Sequence, residues 1–82
     1  MVEVSNEPIF EKKIGKIKSA DLLLRVKKQI KKIIKNPEIG KPMMYSRKGA
    51  REAYVSPFRL SYAYLKEEDH IIFLDLYHKD KQ

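Results

Sequence analysis

The sequence contains no cysteine, which excludes a disulfide framework and a thiolate metal site and leaves His70 and His78 as the only imidazoles. Neither a metal centre nor a bound cofactor is expected. No apolar run exceeds a few residues, and no cationic segment precedes an apolar one near the N-terminus. A membrane span and a secretory signal are thus not expected, and the protein is read as cytoplasmic. Internal repeats, low-complexity tracts and linkers are also missing, so the 82 residues are read as one domain spanning 1–82. The chain is 43% hydrophobic and 35% charged, a balance that supports folding and leaves a highly charged surface.

Acids are scarce in one region above all. Eighteen Lys and Arg against eleven Asp and Glu give a net charge of +7, a surplus that favours polyanionic partners through steering and counterion release. From Arg25 to Arg51 ten basic residues accompany a single acid, Glu38. Lys27, Lys28, Lys31, Lys32 and Lys35 fall within this stretch, and a lysine-rich helix face is ordinarily just a solvated surface. A merely soluble helix, however, mixes Glu with Lys for pairs four residues apart, and no acid lies between Asp21 and Glu38. The lysine set is therefore expected to face phosphate.

Periodicity divides the chain into two kinds of structure. "VEV" at 2–4 is β-prone, and "SNEP" after it offers Ser5 or Asn6 as a helix cap, with Glu7 and Pro8 suited to the first turn. Phe10, Ile14 and Ile17 recur at helical spacing. Ser19 reads as a second cap, and Leu23, Val26, Ile30 and Ile33 form the apolar stripe of a longer helix that Asn36-Pro37 ends. With few residues between them, the helices should form an antiparallel hairpin. After Gly40 the runs "REAYV", "FRLSYAYL" and "IIFLDLY", separated by "SP" and "KEEDH", predict a three-stranded antiparallel meander. The fold class is α+β: a short N-terminal strand, a helical hairpin, then a small sheet with the helices on one face.

Strand alternation sets Phe58, Leu60, Tyr62 and Tyr64 toward the helices and Arg59, Ser61, Ala63 and Leu65 toward an open face. In the last run Ile72, Leu74, Leu76 and His78 share one face, and Ile71, Phe73, Asp75, Tyr77 and Lys79 the other. Both sets are largely apolar. From residue physics alone, Arg59 is equally an arginine pairing with Asp75 on the next strand, and His78 a solvated strand-end histidine.

Four segments in order, "NPEIGKPM", "KGAREAYV", "FRLSY" and "YHKDK", resemble the RelE/ParE superfamily of bacterial and archaeal toxins, especially its RelE-like branch of mRNA-cleaving toxins. In that family the corresponding patterns are N-P-x-x-G-K-P, a basic K-G segment, Y-R-h-x-Y with h apolar, and a final strand ending in H-R or H-K. The resemblance covers nearly the whole chain. It implies the toxin of a toxin–antitoxin pair, an endoribonuclease that cuts mRNA on the ribosome without metal, by attack of a ribose 2′-OH on the adjacent phosphate. Arg59 would then grip and stabilise the phosphate, His78 would act as acid or base, and Lys79 and Arg51 would complete the catalytic group. Arg47 and Lys48 would hold phosphate, the five helix lysines would face ribosomal RNA, and Tyr77 would stand in for a tyrosine that some relatives carry beyond the last strand. The implied partners are an acidic RelB-like antitoxin and the ribosome with its mRNA. Several relatives carry basic residues or a carboxylate where this chain has Glu52 and Tyr54, so the resemblance assigns no general base. Two alternatives share the residues: a ParE-like toxin acting on DNA gyrase, and a non-catalytic RNA- or ribosome-binding domain.

Overall fold

A computed structural model describes residues 2–44 and 47–80; Lys81, the last residue of the "YHKDK" segment, lies outside the described residues. The elements run β1 (Glu3–Asn6), α1 (Pro8–Gly15), α2 (Ala20–Lys35), β2 (Lys41–Pro42), β3 (Ala50–Val55), β4 (Phe58–Leu65), a turn of 3-10 helix at Lys66–Glu68, and β5 (His70–His78). The strands form one sheet in the order β1-β5-β4-β3-β2. The meander β3-β4-β5 is antiparallel, as its short connections require, and β1 adds to it parallel to β5. The α+β architecture expected from the sequence is present, extended by the two-residue edge strand β2, which pairs with β3. Among the described residues no helix is long and apolar enough to cross a membrane.

The helix caps differ from the sequence pattern at one end. Ser19 caps α2 as expected, its hydroxyl accepting from the Leu22 N–H at 3.1 Å. At α1, neither Ser5 nor Asn6 is the cap: both remain in β1, opposite Ile72 and Phe73, and Glu7 takes the position without a side-chain cap. The ladder explains the shift. The Glu7 N–H donates to the Phe73 carbonyl at 2.9 Å, so the chain stays tied to β5 until Pro8 opens the helix.

One core lies between the helices and the sheet. Phe10 of α1 stacks on Phe73 of β5 at 5.4 Å between ring centroids, while Val26 and Ile33 of α2 are fully buried with Leu60, Tyr62 and Ile71. Strict alternation cannot place these β5 residues together. Ser61 pairs with Asp75 but the next residue, Tyr62, pairs with Phe73, leaving Leu74 as an extra residue in β5. This bulge reverses the facing along the strand. Ile71 and Phe73 pair with the core-facing Tyr64 and Tyr62, whereas beyond the bulge Leu76 and His78 share the face of Leu60 and Phe58. The two uninterrupted sets read from the sequence are thus each split at Leu74.

The connection after α2 is fixed by a buried phenol. The Tyr62 hydroxyl donates to the Pro37 carbonyl and accepts from the Gly40 N–H, both at 2.8 Å. A Cβ at position 40 would stand 2.5 Å from that hydroxyl oxygen, so glycine is required by close approach. Gly49 is required by its backbone, at φ +78°. Replacing Tyr62 with Phe would leave a donor and an acceptor unpaired, and unfolding in urea should show a loss of about 1–3 kcal/mol. Unchanged stability would mean that water replaces the hydroxyl.

Candidate functional site

The two-residue turn Ser56-Pro57 sets Val55 opposite Phe58 and therefore Tyr54 opposite Arg59, and β5 places Tyr77 on the other side of Arg59. Residues directly opposite in adjacent strands share a face. Tyr54, Arg59 and Tyr77 consequently form a row across the sheet on the face away from the helices. A second row, Lys41, Glu52, Ser61 and Asp75, lies beside it on the same face. The open surface is narrower than alternation predicts, because Ser61 and Ala63 are buried although they point this way. What remains is a shallow hollow of about 300 Å³ lined by Lys41, Glu52, Ala53, Tyr54 and Arg59.

Within it, Arg59 lies 3.2 Å from one oxygen of Glu52, and the Tyr77 hydroxyl donates to the other at 3.1 Å. The Tyr54 ring lies 5.6 Å from the guanidinium carbon, within cation–π range. Glu52 raises the Arg59 pKa and holds the guanidinium charged. The Tyr77 phenol is pushed up, first by burial and then by its hydrogen bond to Glu52, so it remains a donor at neutral pH. Asp75 is not the partner of Arg59: it meets Lys13 of α1 at 2.8 Å. The site therefore combines a fixed cation, a carboxylate able to accept a proton and a neutral hydroxyl, within reach of one another.

The expected group of Arg59, Arg51, His78 and Lys79 is not assembled, and strand geometry gives the reason. Arg51 pairs with Tyr62 in the ladder and so lies on the helix-facing side. Its guanidinium bonds the carbonyls of Glu38 and Gly40 at 3.1 and 2.7 Å, closing the same connection that Tyr62 holds. His78 pairs with Phe58, one position out of phase with Arg59. Its ring meets Phe58 edge-on at 5.6 Å, and its Nδ1 accepts from the Asp80 N–H at 3.3 Å. It lines another hollow with Lys13, Lys16 and Lys18, which Tyr77 also borders. Lys79 is exposed just past β5, its N–H bonded to the Pro57 carbonyl.

The phosphate-binding candidates also separate. Arg47 and Lys48 are exposed in the turn before β3, at the opposite end of that strand from Tyr54, and Arg47 lies 3.5 Å from Glu7. Lys27, Lys28, Lys31, Lys32 and Lys35 are all exposed on α2, and none forms an ion pair among the described residues. This face is brought close to the Arg59 hollow. Gln29 donates to the Tyr54 carbonyl at 3.0 Å and Arg25 to that of Ser56 at 2.6 Å, docking α2 on the β3–β4 turn. Glu52, Tyr54 and Lys41 line the hollow with Arg59, and the motifs gave none of them a place there. The two-residue turn was the available signal, since counting back from Ser56-Pro57 pairs Tyr54 with Arg59.

No family model matches the sequence, and no curated protein sequence matches it. Solved structures do. The isolated RelE toxin of Escherichia coli superposes with a TM-score of 0.81 at 13% identity, covering 100% of this chain and 88% of that one. The toxin–antitoxin complex RelBE2 of Mycobacterium tuberculosis gives 0.78 at 20% identity over 95% and 98% of the two chains. The archaeal RelE–RelB complex of Pyrococcus horikoshii gives 0.78 at 14% identity over 99% and 98%. The chain has the RelE-like fold.

Burial also holds the Tyr62 phenol above its ordinary range. Protonated Tyr62 and Tyr77 therefore stabilise the fold fully below the unfolded-state value of about pH 10, and that contribution is lost as pH rises through the folded-state values. Stability should fall in strongly alkaline solution, less steeply in Tyr77→Phe. In Glu52→Gln, an NMR titration should find the Tyr77 phenol moved down toward its ordinary value; an unmoved titration would remove Glu52 as a cause.

Proposed function

We propose that this protein is the toxin of a toxin–antitoxin pair and cuts mRNA on the ribosome. The observation that carries the reading is Arg59 on the open face between Glu52 and Tyr77, beside a helix face whose lysines have no acidic partner among the described residues. The shared fold with RelE structures supports it. In this proposal the lysines of α2 hold ribosomal RNA, and Arg59, which has further N–H groups besides the one on Glu52, holds the phosphate to be cut. Glu52 accepts the proton of the attacking 2′-OH as the 2′-oxygen bonds to phosphorus and the bond to the 5′-oxygen breaks. Tyr77 gives its proton to that leaving oxygen and recovers one from Glu52. The products are a cyclic phosphate and a free 5′-OH, and no charge leaves the site. His78 has no part in this scheme, because it lies on the other face of the sheet.

The same reading includes an acidic antitoxin as partner. The neighbouring structures of M. tuberculosis and P. horikoshii are toxin–antitoxin complexes, and a net charge of +7 on so small a domain is a surface that an acidic chain neutralises. A segment of that chain that folds as it binds would cover the basic face and Arg59.

Primer extension on translated mRNA after induction is the direct test. Wild-type protein should leave breaks within coding sequence, and Arg59→Ala should remove them while still binding ribosomes. Gyrase trapped on DNA with intact mRNA would establish the ParE-like alternative, and ribosome binding without breaks the occupancy alternative. Changing Lys28, Lys31 and Lys32 together to Glu should weaken ribosome binding and reduce its dependence on salt. An unchanged affinity and salt slope would return that helix face to a solvated surface.

A further inference from the structure

Tyr54 is 57% exposed although it sits within a paired strand, and nothing in the reaction proposed above uses it. An exposed aromatic on its own is ordinary. Its surroundings are not. On one side the ring borders the hollow that holds Lys41, Glu52 and Arg59. On the other it borders a second hollow, of about 270 Å³, lined by Arg25, Lys28, Gln29, Lys32, Val55 and Ser56. Tyr54 thus stands between two cationic depressions, one fed by α2 and the other by the open sheet face. Its backbone is pinned, through Gln29 to its own carbonyl and through Arg25 to that of Ser56, so the ring projects from a fixed hairpin end.

An aromatic ring between cations is the arrangement by which proteins hold single-stranded nucleic acid: cations track the phosphates and the ring receives a base, any base having a π-face. Resting on the RNA reading above, we propose that Tyr54 is a base-stacking platform on a single-stranded RNA track running from Lys28 and Lys32 across Tyr54 to Arg59. The base stacked there is a neighbour of the phosphate that Arg59 grips, so Tyr54 fixes which phosphodiester lies in the hollow without choosing the base. An acidic peptide would satisfy the same cations but gains little from a flat ring, whereas a nucleobase stacks on it.

The test is fluorescence anisotropy at low salt with a 5′-labelled 2′-O-methyl hexanucleotide, which lacks the attacking hydroxyl and is not cut. Tyr54→Phe should bind as the wild type, whereas Tyr54→Ala and Tyr54→Leu should bind about 5- to 100-fold more weakly, the loss of one stacked base. Removing a single base from the oligonucleotide should reproduce the loss in the wild type and add nothing in Tyr54→Ala. Tyr54→Ala binding as tightly as wild type while Arg59→Ala is weakened would overturn the platform and leave the RNA reading standing. Weakening by Tyr54→Ala that no abasic position reproduces would make Tyr54 a support for Arg59 and overturn the platform as well. Tight binding of a poly-glutamate peptide, with no affinity of the wild type for the oligonucleotide, would overturn both.

Discussion

Leu74 lets one strand serve two faces. A regular β5 with Leu76 on the core would also direct Leu74 and Ile72 to the core and turn Phe73 away from it. Because Leu74 is the extra residue opposite the Ser61–Tyr62 step, Phe73 reaches Phe10 and Tyr62, Leu76 is buried in the same core, and Asp75 and Tyr77 still face outward. Burying a phenylalanine side chain contributes about 1.5–3 kcal/mol, enough to outweigh the disturbance of a single ladder position. The bulge also delivers Tyr77 to the row of Arg59, so the core and the candidate site depend on the same inserted residue.

Arginine provides a contrast within that frame. Arg51 and Arg59 are both strand residues, and both lie in segments that resemble a toxin motif, but they occupy opposite faces. Arg51 donates to two backbone carbonyls of the segment leaving α2, bonds that no ligand would replace without opening the fold. Arg59 faces a single carboxylate in an open hollow, which leaves other N–H groups of its guanidinium to meet an anion. Availability of the charge, more than its presence in a motif, separates Arg51, held by the fold, from Arg59, the candidate for binding an anion.

The placement of α2 carries the same theme. Its apolar stripe is buried over the sheet, so its lysines must face solvent, and its two polar contacts with the β3–β4 turn bring that cationic face beside Tyr54. A helix docked elsewhere on the sheet would leave the lysines equally exposed and remote from Arg59. In this chain a broad cationic surface and the Arg59 hollow thus meet at a single hairpin end.

Two periods in the sequence, 3.6 and 2, were sufficient to determine the helices, the meander and the core face of β4, since Val26, Ile33, Leu60 and Tyr62 fall where those periods put them. The lack of acids between Asp21 and Glu38 was equally legible, whereas only the fold could show that no acid from another element pairs with the lysines of α2 among the described residues. Alternation along β4 also set Arg59 on the open face, where the structure has it. The sequence did not reveal which residues join Arg59, because a face assignment along β5 reverses with one bulged residue and both of its faces are apolar enough to be core. Nor could motif spacing show that Arg51 and His78 point away, since proximity along a motif ignores the strand's alternation. Tertiary structure decided these points: cross-strand register set Glu52, Tyr54 and Tyr77 around Arg59, and the docking of α2 on the β3–β4 turn set the lysines beside them.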